Sequence, residues 1–148
     1  MKMHPYLRAF LAGAFVPTLV LPILLTVFIV VRLVLHCAVP IERGMVFPMA
    51  LVPSIFGLWN MLWLKSHGTT HMPLGLHGAL LPLIGAPVGA SVASLLGVLA
   101  LEPSGVRWFD VLHVPYALVA CVFCAAMAGY YLVWKYVVGF VNRTLEIA

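Results

Sequence analysis

Four long apolar runs, at about residues 9–35, 45–64, 78–101 and 113–138, constrain this chain more than anything else in it. Each reaches the roughly 20 residues a helix needs to cross a ~30 Å hydrocarbon core. Only 8% of the 148 residues are charged and 64% are hydrophobic, where a water-soluble domain carries about 25% charged residues. Too few charges remain to clothe a soluble surface, so lipid has to be the solvent for most of the chain. The expected fold class is all-α: one polytopic membrane domain over residues 1–148, a bundle of four transmembrane helices with short loops.

The stretch from Phe56 to Gly89 organises the rest. Trp59 and Trp63, followed by Lys65, mark a membrane–water boundary at the end of the second run, where indole rings and lysines collect. Asn60 between them can hydrogen-bond across a helix interface. The polar break KSHGTTHMPLGLH follows, with Gly and Pro to interrupt it. The third run then carries Gly85 and Gly89 at GxxxG spacing, and Ala93 and Gly97 at the same interval. Small residues four apart let helices approach closely where lipid supplies no hydrophobic driving force. This set therefore predicts helix packing, with the third span enclosed by the others or by a partner.

Prolines recur inside the runs: Pro17 and Pro22 in the first, Pro48 and Pro53 in the second, Pro82 and Pro87 in the third. Each removes an intrahelical hydrogen bond, so kinks are expected there. The start, MKMHPYLRAF, reads as the lead into a first span, because the apolar run after it exceeds the 7–15 residues of a signal peptide's apolar core. The link Glu102–Leu112 is the most polar segment and reads as a loop, with Trp108 and Phe109 resting at the interface. A dense aromatic and basic group, Tyr130, Tyr131, Trp134, Lys135 and Tyr136, closes the fourth run.

Orientation follows from the basic residues. Four spans put Lys2, Arg8, Lys65, Lys135 and Arg143 on one side; Arg32, Arg43 and Arg107 share the other with Glu42, Glu102 and Asp110. Five against three places both termini in the cytoplasm, in a plasma membrane of the bacterial inner-membrane kind. The net charge of +4 comes from residues scattered at span ends rather than from a basic run, which excludes nucleic acid as a partner. The expected partners are the bilayer and other transmembrane subunits or further copies of the chain.

Three sets of residues could carry chemistry. Cys121 and Cys124 form a CVFC motif in the fourth span, and Cys37 falls in the first loop. A CxxC pair can cycle between dithiol and disulfide when its thiolate is stabilised and reachable. In spacing and span count this is similar to the small membrane oxidoreductases of the vitamin K epoxide reductase type, which imply a thiol–disulfide or quinone-linked activity. That family relays electrons through a pair of loop cysteines, whereas this chain has one. The competing and favoured reading takes these cysteines as small packing residues.

Histidines form the second set. His67 and His71 stand four apart with His77 nearby, a spacing that would suit metal ligation on a helix, although Gly-Thr-Thr between them is poor helix sequence. His36 and His113 fall at the outer ends of the first and fourth spans and could hold a haem or pigment between two helices. Histidine as an interfacial residue is the simpler reading of both groups, and no cofactor is favoured. The third set is a negative one: no Asp, Glu or Lys sits deep in a span, which weighs against an ion-coupled pump. No phosphate loop, nucleophile elbow or HExxH occurs either.

The expectation is therefore a non-catalytic accessory or structural subunit of a larger membrane complex, more plausibly not an enzyme. The alternatives are an oxidoreductase using the CVFC motif, a small transporter or channel, and a haem- or pigment-holding subunit.

Overall fold

A computed structural model of the chain describes residues 4–36 and 47–147. It is mostly helical, with α1 at Pro5–Leu33, α2 at Phe47–Thr70 and α3 at Leu74–Leu95. Three short strands follow, β1 at Leu99–Glu102, β2 at Gly105–Trp108 and β3 at Leu112–Pro115. The last helix begins as α4 at Tyr116–Leu132, winds through a π-helical turn at Val133–Val138, and ends as α5 at Gly139–Thr144. Three stretches, Pro5–Leu33, Leu74–Leu95 and Tyr116–Thr144, are long and apolar enough to cross a membrane.

The helix ends have local causes. Pro5 occupies the first turn of α1, where a missing N–H costs nothing. α2 runs past the expected end at Leu64 through Gly68 to Thr70, so the Gly-Thr-Thr stretch is helical after all. The hydroxyls of Thr69 and Thr70 donate back to the Ser66 carbonyl, tying down that last turn. The start of α2 expected near Met45 lies outside the described residues. α3 stops at Leu95, short of the expected 101. Gly97, at φ +67°, donates to Ser94 O, and Val98 donates to Ala93 O at 2.8 Å. These are the paired bonds of a Schellman cap, and the left-handed residue they require is the glycine. Gly97 thus ends the helix instead of packing along it.

A sheet replaces the loop expected between the third and fourth spans, so the all-α expectation is corrected in this segment. The strands form an antiparallel meander in the order β1-β2-β3. Their register sets Ala100, Arg107 and His113 across from one another, and likewise Leu101, Val106 and Val114. Since side chains alternate along a strand, one face carries Glu102, Arg107 and His113. The other carries Leu99, Leu101, Val106, Trp108, Leu112 and Val114. This alternation over four-residue strands was hidden inside a segment that reads simply as polar. Glu102 pairs with Arg107, and His113 Nε2 lies 3.1 Å from Ser104 Oγ and 3.6 Å from Glu102.

The helices pair as two antiparallel hairpins. In the first, Ala9 of α1 meets Asn60 of α2, and Gly13 meets Phe56. In the second, Leu74 of α3 lies by Gly139, and Gly78 lies against Trp134. The hairpins join through a cluster of Phe56, Leu81, Trp134 and Val138. All buried positions in the described helices fall at one end: Ala9–Pro17 in α1, Phe56–Trp63 in α2, Gly75–Leu81 in α3, and Trp134–Asn142 in the last helix. α4 contributes no buried residue.

Candidate functional site

The packed end concentrates the polar chemistry. Asn60 is fully buried and Asn142 nearly so. Asn60 Nδ2 donates to Asn142 Oδ1 at 2.9 Å, and Asn142 Nδ2 donates back to Asn60 Oδ1 at 3.2 Å. The second hydrogen of Asn60 Nδ2 goes to the Ala9 carbonyl at 2.8 Å. One amide pair thus ties α1, α2 and α5 together, and its groups are satisfied where water is excluded. Beside it, Arg8 Nη1 donates to the Leu145 carbonyl at 2.8 Å, holding the start of α1 to the end of the chain.

A second clasp joins α2 to α3. Trp59 Nε1 donates to the His77 carbonyl at 2.9 Å, while His77 Nε2 lies 3.0 Å from the Trp59 carbonyl. A carbonyl only accepts, so the imidazole carries its hydrogen on Nε2. The two rings stack with centroids 4.7 Å apart. Trp63 Nε1 donates to the Met72 carbonyl at 3.2 Å and its ring faces His67 at 4.5 Å. Each of these indole N–H groups thus fastens α2 to the start of the second hairpin.

Beside this network an open pocket of about 340 Å³ lies among the end of α2, the start of α3 and the last helix. Trp63, His67, Gly75, Tyr131, Lys135 and Arg143 line it. Lys135 belongs to the π-helical turn, and its ammonium sits 5.5 Å from the Tyr131 ring and 5.2 Å from the Tyr136 ring. Among the described residues no carboxylate lines the pocket.

The residues singled out from sequence fall in different places. His67 lines this pocket, His77 is clasped by Trp59, and His71 stands exposed in the left-handed region at φ +49°. No group of three His, Cys, Asp or Glu that could hold a metal occurs among the described residues. His113 engages Ser104 and Glu102 in the sheet, while His36 is exposed just beyond α1 at φ +50°. Cys121 and Cys124 are free thiols on the exposed surface of α4, and Cys37 lies outside the described residues. Gly85 and Gly89 are exposed, with no atom of the described residues within 4 Å of where a Cβ would stand, and Ala93 is half-buried. The described residues therefore leave this stretch of α3 uncovered.

The glycines at close helix approaches are others. Gly13 faces the Phe56 carbonyl, Gly57 the Phe10 ring, Gly75 the Tyr131 ring and Gly78 the Trp134 ring. Ala9 and Gly13 stand at the small-xxx-small interval, a signal that the sequence itself carries. Asn142 and Arg8 were missed as network members because nothing local tells a buried polar residue near a chain end from an exposed one.

No protein-family model matches this chain, and neither a curated protein nor a solved structure is significantly similar to it.

Proposed function

We propose that this is an integral membrane protein in which α2 crosses as the fourth span, acting as a non-catalytic accessory or structural subunit of a larger membrane complex. One observation carries the reading. The half of α3 that bears Gly85 and Gly89 is small-residued, apolar and, among the described residues, uncovered, which suits a helix from another subunit or a second copy. The excess of basic residues at the packed end supports cytoplasmic termini, in keeping with a plasma membrane of the bacterial inner-membrane kind.

The test is native purification in mild detergent, with co-eluting proteins identified and weighed by mass spectrometry. Stoichiometric partners, or a defined homo-oligomer, that disappear in the Gly85→Leu/Gly89→Leu variant are the expected result. A lone monomer, or an assembly unchanged by both substitutions, counts against it.

A further inference from the structure

We propose that the pocket between α2, α3 and the last helix binds the phosphate of an anionic phospholipid headgroup. Three observations converge on it. Cationic or hydrogen-bonding side chains reach it from three segments, His67 on α2, Lys135 on the π-helical turn and Arg143 on α5. Among the described residues neither Lys135 nor Arg143 forms an ion pair with a carboxylate, although Arg8 and Arg107 both have acidic neighbours. The basic charge here is left for a ligand.

The start of α3 supplies the second observation. Leu74 and Gly75, its first two residues, line the same pocket, and no side chain caps that end. The free N–H groups of a helix's first turn, with the positive end of its dipole, favour a bound anion. Helix terminus and cations meet in one cavity of about 340 Å³, large enough for a headgroup.

Depth decides the source of the phosphate. Trp63 and Tyr131 border the pocket and Tyr136 stands beside Lys135, and such rings settle at the headgroup level of a bilayer. The two tyrosine faces attract the Lys135 ammonium and hold it at that level. Leu132 and Val137, exposed on the same helix, offer apolar surface along which acyl chains can run. Basic pockets between transmembrane helices on the cytoplasmic side bind anionic headgroups by this chemistry.

The experiment uses the full chain, purified in mild detergent and exchanged into vesicles of phosphatidylcholine mixed with phosphatidylglycerol. Lipid retained on gentle extraction is counted by native mass spectrometry, for the wild type and for the Lys135→Gln/Arg143→Gln variant. Both side chains are exposed, so the variant should keep the wild-type melting temperature in phosphatidylcholine alone, and that is measured as the control. The wild type should prefer phosphatidylglycerol by about 10- to 30-fold, from about fivefold per basic residue, and the variant should lose that preference. Competition by inorganic phosphate would further support the phosphate as the recognised group.

Equal retention of the two lipids by the wild type, or an undiminished preference in the variant, overturns the proposal. Protection by inorganic phosphate without any lipid preference overturns the lipid as the source and leaves a phosphate site. All of these outcomes are independent of the subunit reading, which concerns the opposite half of α3.

Discussion

At one end of the bundle Gly13 lies against the Phe56 carbonyl and Gly78 against the Trp134 ring; toward the other, Gly85 and Gly89 have no atom of the described residues within 4 Å of an added Cβ. The same residue type does two jobs in one chain. At the packed end glycine lets backbones and rings approach, and the asparagine pair then closes a polar network that no water could satisfy. Toward the open end none of the described residues uses the space a glycine leaves. The difference teaches that a glycine pattern marks permission for contact and does not say which partner takes it up.

The comparison breaks most visibly through size. Gly13→Leu must displace the backbone at Phe56, and Gly78→Leu must displace the buried Trp134 ring. Overpacking of this kind costs about 1–3 kcal/mol and sometimes more. Either variant is expected to lower the melting temperature of the purified chain sharply or to prevent its recovery from the membrane. Gly85→Leu, in the same isolated chain, should stay within about 0.5 kcal/mol of wild type, as substitutions without neighbours do. Equal losses at the two ends would show that α3 is covered along its whole length.

A finer test addresses the amides. Asn60→Ala leaves Asn142 buried without its partner, and Asn142→Ala does the reverse; each should cost about 1–3 kcal/mol in thermal or denaturant unfolding. The double variant should cost clearly less than the sum, since the two residues exchange their bonds with each other. Interhelical hydrogen bonds within membranes average about 0.6 kcal/mol and reach about 1.7, so the coupling in the cycle should fall near 1 kcal/mol. Strict additivity would mean the amides act separately, and the packed end would then rest on shape alone.

Much of this architecture could be read from residues, and the unread part has identifiable causes. Run length and the scarcity of charge point to helices long and apolar enough to cross a membrane, and three of the four expected are found, because those signals sum over many residues. The sheet was missed because strands of four residues alternate too briefly to stand out, and Glu102, Ser104, Arg107 and Asp110 mask the apolar face behind them. Asn60 was recognised as an interface residue from its place between two tryptophans, but its partner Asn142 lies 82 residues away and only folding brings it near. His67 was noticed for its spacing to His71; its membership of a basic pocket depends on Lys135 and Arg143 from the other hairpin. Pairings between distant segments are set by packing, which a local pattern does not record.

The smallest expected effect falls on the open half, at Cys121 and Cys124. Both are exposed on α4, a helix without a single buried residue. Replacing these exposed residues with Ala removes little buried surface, so the stability of the isolated chain should change by no more than about 0.5 kcal/mol. A lipid-soluble maleimide should label both thiols in native vesicles, before and after treatment with a mild oxidant. Loss of labelling on oxidation, restored by a reductant, would mean that the pair cycles to a disulfide, and the oxidoreductase reading would displace the accessory-subunit one. Persistent labelling keeps the cysteines as ordinary surface residues of the open half. Protection in the native membrane but not in the isolated chain would place a partner helix over α4 as well as α3, and the open half would then be an interface on both helices of the second hairpin.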